Sequence, residues 1–267
     1  MKEIIKNIEK NKALVVGTWK SKIWQSVANL LTENFDVIKT SKSSLGIEML
    51  DILDVQSIKK FIRNYREKYG KETLKTVFLN SGIMNSWDTI NRSNFFRRAN
   101  NWDPTINTHL NNIMLVERLQ MAWIIDTDTK VIYNASVQIV DKKKGYEDYA
   151  YMKRLVSSLL LNDDRWNPTI LCASLVKWTA MENNFKKKMN KNWNNWFGKF
   201  IEENMPHGQP SLADIDNAVE QILIHKEETR GKLVFVDWWS INNNKDKSML
   251  NNDFFYDKKK NSLLSVS

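Results

Sequence analysis

The sequence predicts an α/β protein, a doubly wound parallel sheet of about seven strands with helices on both faces. Short apolar runs of strand length recur between Ala13 and Val236, stretches with apolar residues at helical spacing separate them, and the first run passes through a tight polar turn straight into a helix. No internal repeat and no interdomain linker interrupts this alternation. Residues 1–267 are therefore expected to form one domain, with an Asn-, Lys- and Trp-rich excursion over about 181–210.

The first strand is Ala13 to Val16, ending at Gly17, and Ile23, Val27, Leu30 and Leu31 trace one face of the helix that follows. Phe35 to Lys39 and Ile47 to Asp51 supply the second and third strands. Val55, Ile58, Phe61, Ile62 and Tyr65 then mark a helix running to Tyr69, which Gly70 stops. Leu74 to Leu79 is the fourth strand, closed by Asn80-Ser81-Gly82. Met84 to Trp102 is polar and irregular, and Pro104, a natural first-turn residue, opens a long helix to about Trp123. Thr129 to Val137 makes the fifth strand, Tyr146 to Leu161 a helix, and Pro168 to Ala173 the sixth strand. Ser211, with Asp214 three residues later, caps a further helix before the last strand, Lys232 to Val236.

Composition narrows the function classes. With 42% hydrophobic residues the chain can bury a large core. The single cysteine, Cys172, lies in a strand-like run, where it reads as a buried small hydrophobe; it excludes an intramolecular disulfide and suits a reducing, intracellular and cytoplasmic setting. Met1 to Lys12 carries charges throughout and lacks the apolar centre of a signal peptide. No apolar run reaches the length of a membrane span, so no membrane partner is expected. The net charge of +9 raises nucleic-acid binding as an option. However, Lys142 to Lys144, Lys186 to Lys188 and Lys258 to Lys260 fall in three separate polar stretches with no nucleic-acid motif beside them, which suits solvated loops. The chain has 8 Gly and 4 Pro but 11 Trp, where average usage is roughly 7% Gly and 5% Pro.

The turn after the first strand is where a nucleotide would sit. In a dinucleotide-binding βαβ unit three glycines let the backbone turn, approach the pyrophosphate and pack helix on strand. Here Gly17 is the one glycine of that loop, and Lys22 and Trp24 stand where small residues would be expected.

With these elements placed, the chain from the first strand to Asp237 resembles the short-chain dehydrogenases/reductases, a family with a Rossmann-like sheet. Tyr149-Ala150-Tyr151-Met152-Lys153 matches the family's Tyr-x-x-x-Lys, and Ser136 stands at the family's serine position about thirteen residues earlier. Asn80-Ser81-Gly82-Ile83 resembles the Asn-Asn-Ala-Gly segment after the fourth strand, Asp51 falls where an aspartate lies near the adenine ring, and Gly231 to Asp237 resembles the closing Gly-x-x-x-x-Val-Asp strand. The resemblance implies a catalytic trio of Ser136, Tyr149 and Lys153: the lysine stabilises the tyrosinate, the serine holds the substrate oxygen, and a nicotinamide exchanges hydride. It also implies cofactor contacts at Gly17, Lys22, Asp51, Asn80 and Gly82.

Departures from the family pattern cluster near the groove. Lys22 and Trp24 replace glycines, and Lys22 can alternatively supply positive charge to a phosphate. His109 replaces an asparagine in the long helix, seven residues after Trp102, and is expected to be a packing residue, since His207 and His225 lie too far along the chain for a metal site. A Pro-Gly pair is missing from Ser174 to Thr179, and Trp238-Trp239 replace a glycine pair. Losing a glycine chosen for close approach costs on the order of 1–3 kcal/mol before any clash. The expectation is that Trp24 fills the cofactor's space, that no cofactor binds, and that the trio is inherited and idle.

On that expectation the protein is a catalytically inactive, structural, self-assembling protein, of the viral or other crystal-forming matrix kind, whose partner is itself through contacts that include Trp193, Trp196, Trp238 and Trp239. The alternative is an active NAD(P)(H)-dependent oxidoreductase, with NADP or NAD bound and Ser136, Tyr149 and Lys153 at work. A basic nucleic-acid-binding relative is the third option.

Overall fold

Strands β1 (Lys12–Val16), β2 (Asp36–Ser41), β3 (Glu48–Met49), β4 (Leu74–Leu79), β5 (Lys130–Asn134), β6 (Asn167–Cys172), β7 (Lys232–Phe235), β8 (Asp253–Asp257) and β9 (Ser262–Val266) form one sheet in a computed structural model of the chain. The structure describes residues 10–17, 20–42, 47–82, 104–136, 147–173, 208–236, 253–257 and 259–266, and scattered positions between 176 and 202. The strand order is β3-β2-β1-β4-β5-β6-β7-β8-β9. Every neighbouring pair is parallel except β8 with β9. The expected count of about seven is thus corrected to nine strands among the described residues. Beyond β7, Phe254 and Phe255 pair with Val234 and Phe235, and Leu263 and Leu264 fold back on Tyr256 and Phe255.

Among the described residues five helices of ten or more residues cross between strands: α1 (Lys22–Leu31), α2 (Val55–Tyr69), α3 (Pro104–Met121), α4 (Glu147–Leu161) and α5 (Leu212–Ile224). Strand alternation sends successive side chains to opposite faces, so one core splits into two layers. Leu14 and Val16 of β1 face α2, α3 and α4, joining Ile58, Phe61, Tyr65, Leu115, Leu119, Val156 and Leu160. Ala13 and Val15 face α1 and α5, joining Trp24, Val27, Leu31, Ile215, Val219 and Ile222. The expected capping box is present: Ser211 accepts from the Asp214 N–H, and the Asp214 carboxylate accepts from the Ser211 N–H. Cys172 is fully buried on β6. No described helix is long and apolar enough to cross a membrane. The excursion's Trp193 and Trp196, and Trp238-Trp239, lie outside the described residues, as do Lys142 to Lys144.

The end of α3 carries backbone strain. Ile124 N–H donates to the Leu119 carbonyl and Trp123 N–H to that of Gln120, the pattern that closes a helix through a left-handed residue. That residue is Trp123, with φ 58°, and its side chain is 78% exposed. Left-handed backbone suits glycine and costs a bulky residue on the order of 1 kcal/mol or more. Trp123→Gly removes that strain and little packing, so its denaturation midpoint should rise by the equivalent of about 1 kcal/mol; a fall would show that the indole holds the turn.

Candidate active site

Parallel pairing sets the carboxyl ends of the central strands side by side. Val16 pairs with Leu79, Leu79 with Tyr133 and Tyr133 with Ile170, so Gly17, Asn80 and Asn134 to Ser136 follow one another along one edge. The strand order reverses at β1 and β4, which opens a crevice at this edge.

Helix α4 brings Tyr149 and Lys153, one turn apart on one face, against Ser136. All three are buried, at 8%, 4% and 8% exposure. Tyr149 and Ser136 share a side-chain hydrogen bond. Burial holds the Tyr149 phenol well above its ordinary range, the serine hydrogen bond pulling weakly the other way, so the hydroxyl carries its proton at neutral pH. Burial brings the Lys153 ammonium down to about 7. Its Nζ donates to the Asn134 carbonyl at 2.6 Å and sits 4.5 Å from the Tyr133 ring centre. Ser136 thus shares a hydrogen bond with Tyr149, and Lys153 Nζ lies 5.8 Å from the Tyr149 ring centre.

Four residues around them carried no clear signal in the sequence. Tyr133 and Asn134 end β5; Asn112 on α3 donates to the Ser81 carbonyl at 3.2 Å, and Asn111 donates to the Ile52 carbonyl at 2.7 Å. Hydrogen bonds run along the edge from the loop to the lysine: Asn80 Nδ2 donates to Ser21 Oγ at 3.0 Å, Asn134 Nδ2 to Asn80 Oδ1 at 2.6 Å, and Lys153 to the Asn134 carbonyl. Gly82 lies where a Cβ would stand 2.9 Å from His109 Cε1 and 3.3 Å from Lys153 Nζ. Its lack of a side chain is what admits both groups.

At the other end of the crevice, Ser21 caps α1 by accepting from the Trp24 N–H. The N-terminus of α1 thus faces the carboxyl edge, with Lys22 exposed beside it. Trp24 lies in the core against Gly17. It is 3% exposed, its Nε1 donates to the Val15 carbonyl at 3.3 Å, and its ring packs with Ala13, Val27 and Leu31 between α1 and the sheet. Gly17, φ 156°, closes over it; a Cβ there would meet Trp24 Cδ1 at 3.0 Å and the Asn80 carbonyl oxygen at 3.3 Å.

Asp51 follows β3 with one carboxylate oxygen accepting from the Leu53 N–H and the other paired to Lys42 Nζ at 2.9 Å. Thr179, after β6, donates to the Val176 carbonyl and accepts from the Glu182 N–H. Ile83 and His207 lie outside the described residues. Among the described residues no three metal-binding side chains cluster.

A crevice at the reversal of strand order, a capped helix N-terminus after β1 and a Ser-Tyr-Lys trio on β5 and α4 define a dinucleotide-type α/β fold. No protein-family model matches the sequence, and no curated protein matches it either. Solved structures do share its architecture. The ligand-free aldohexose dehydrogenase of Thermoplasma acidophilum is 17% identical, covering 85% of this chain and 93% of its own, with a TM-score of 0.68. A 3-oxoacyl-[acyl-carrier protein] reductase from Brucella melitensis in complex with NAD is 16% identical, covering 87% and 98%, at 0.66. The L-sorbose reductase of Gluconobacter frateurii, complexed with NADPH and L-sorbose, is 15% identical, covering 86% and 96%, at 0.67. The chain has the short-chain dehydrogenase/reductase fold.

The expectation that no cofactor binds is corrected here. Structures of this same fold hold NAD in the Brucella reductase and NADPH in the sorbose reductase, which points to a nicotinamide cofactor rather than none. The physical ground for the earlier expectation was the bulk of Trp24, and that indole lies in the core beneath the loop.

Proposed function

We propose that the protein is an NADP(H)-dependent oxidoreductase of the short-chain dehydrogenase/reductase family that reduces a carbonyl group. The observation that carries this is the assembled, buried Ser136-Tyr149-Lys153 trio. The crevice fits a dinucleotide: Gly17 closes over Trp24 without a side chain, and Ser21 and Lys22 stand at the α1 N-terminus, where a pyrophosphate is held. Lys153 and Tyr149 would flank the nicotinamide ribose, and Asp51 the adenine. Bound there, the nicotinamide supplies the hydride.

The chain's own residues do the rest. The Ser136 hydroxyl orients the carbonyl oxygen beside Tyr149. The protonated phenol donates its proton to that oxygen as negative charge develops on it, and the Lys153 ammonium stabilises the phenolate left behind. Only the charged form of Lys153 serves this. Its folded pKa of about 7 means that kcat/KM for reduction should fall as pH rises through that value, the limb reporting the free enzyme.

Cofactor choice follows from the end of β2. An acidic residue at that place would bind a ribose 2′-hydroxyl; here Ser41 and Lys42 stand there instead, and a cation suits a 2′-phosphate. In a titration followed by cofactor fluorescence, NADPH should bind at micromolar Kd and at least about tenfold tighter than NADH. Lys42→Glu should erase that preference. No binding of either cofactor at about 1 mM would overturn the proposal.

A further inference from the structure

A second lysine is shut away from water at the opposite edge of the sheet from the trio. Lys130 opens β5 and is fully buried. Its neighbours in the ladder are Thr76 of β4 and Asn167 of β6. Nζ donates to Asn167 Oδ1 at 2.9 Å and to the Lys226 carbonyl at 2.8 Å, so one side chain joins β5 and β6 to the connection between α5 and β7. Among the described residues those two oxygens are its acceptors, and no carboxylate pairs with it. The Thr76 hydroxyl on the flanking strand is buried without a hydrogen-bond partner, so it takes no third proton from Nζ. An ammonium has three N–H donors and a neutral amine two. Two acceptors match the neutral form.

The charged groups around Lys130 belong to the same connection. Glu227 and Glu228 favour the ammonium, while Lys226 and Arg230 oppose it. Glu227 is turned to Asn167 Nδ2 at 3.4 Å and Glu228 to His225 at 3.7 Å, and Asp126, ahead of β5, pairs with Lys75 at 3.9 Å. Two charges of each sign offset one another, so burial decides, bringing the ammonium down to about 7.

We propose that Lys130 is a proton-sensitive pin: as the neutral amine it fastens the α5–β7 connection to β5 and β6, and a proton taken up there releases that connection. An unfolded lysine keeps its proton up to about pH 10.4. Between about 7 and that value the unfolded chain therefore holds one proton more than the folded one, and stability rises with pH. Below about 7 both states hold it and the dependence ends. The pinned segment also carries the Thr229 carbonyl, which accepts from Thr169 Oγ1 at 2.6 Å, and the Gly231 N–H, which donates to the Pro168 carbonyl at 2.7 Å. Those bonds lead the chain into β7. No cofactor or substrate enters this inference, so it stands or falls apart from the oxidoreductase proposal.

Two measurements on the whole chain test it. The Lys130 Cε resonance, identified by its loss in Lys130→Met, should titrate at least about two pH units below the ordinary lysine value. A midpoint closer to that value overturns the pin. The second measurement is hydrogen exchange at the Gly231 N–H, corrected for the intrinsic rate. Its protection should fall about tenfold or more between pH 9 and pH 7.5 in the wild type, and less than about twofold in Lys130→Met. A smaller fall in the wild type, or a larger one in the variant, means that the proton on Lys130 releases nothing. Lys130→Gln, which keeps a donor but cannot titrate, gives the same comparison if the methionine variant does not fold.

Discussion

Tyr149→Phe is expected to lower kcat for carbonyl reduction by about 10²–10⁴-fold, the range that a positioned general acid contributes. Phenylalanine removes one hydroxyl and keeps the ring, so the edge-on contact with His109 and the packing over Lys153 persist. NADPH affinity should stay within about threefold, because the phenol is being asked to act on the substrate oxygen rather than to hold the cofactor. The hydrogen bond that the phenol shares with Ser136 is lost, leaving the serine free to rotate toward the substrate. Single-turnover reduction separates the two quantities. Equal losses in binding and turnover would mean that the hydroxyl holds the crevice together, and unchanged turnover would remove Tyr149 from the chemistry.

The second large effect belongs to Trp24. The side chain is 3% exposed and wedged against Ala13, Val15, Val27 and Leu31, so Trp24→Ala deletes a whole indole from a packed layer. Aromatic-to-alanine changes in cores cost about 3–5 kcal/mol, the transfer of the ring plus the cavity it leaves. The lost Nε1 donor adds little, since the Val15 carbonyl also accepts from Thr40 Oγ1 at 3.1 Å. Chemical denaturation should show this loss while NADPH binding, measured where the variant is still folded, does not tighten. Tighter binding would show that the ring obstructs the crevice; an unchanged midpoint would show that it does not anchor α1.

The same residue shows what the sequence could and could not tell. Trp24, Val27, Ala28 and Leu31 are the buried face of α1. That spacing was legible, yet the face drawn from Ile23, Val27, Leu30 and Leu31 is turned by about one residue from the observed one, because aliphatic residues on both flanks satisfy a helical period. A bulky side chain at a position meant for glycine suggests an obstruction of the loop, but the first turn of a helix can also bury it against the sheet, as here. Strands β1, β4, β5, β6 and β7 were plain, being buried on both faces and hence continuous apolar runs. Strands β8 and β9 were not, since each is a five-residue segment whose Phe254, Phe255, Leu263 and Leu264 are only partly buried and whose connection is a charged turn. The trio was legible because its chemistry demands fixed spacing. Asn134 and Asn112 were silent, since backbone carbonyls and another amide are their partners, and so was Tyr133, which meets His109 and Lys153; such contacts exist only once the chain is folded.

The amide relay from Ser21 through Asn80 and Asn134 to Lys153 joins the cap of α1 to the ammonium beside Tyr149. Cap and lysine are thereby mechanically tied: a shift of Ser21 reaches, two hydrogen bonds away, the residue whose carbonyl fixes the lysine. A substitution at Ser21 or Asn80 is therefore felt at Lys153, although the residues stand far apart in the sequence.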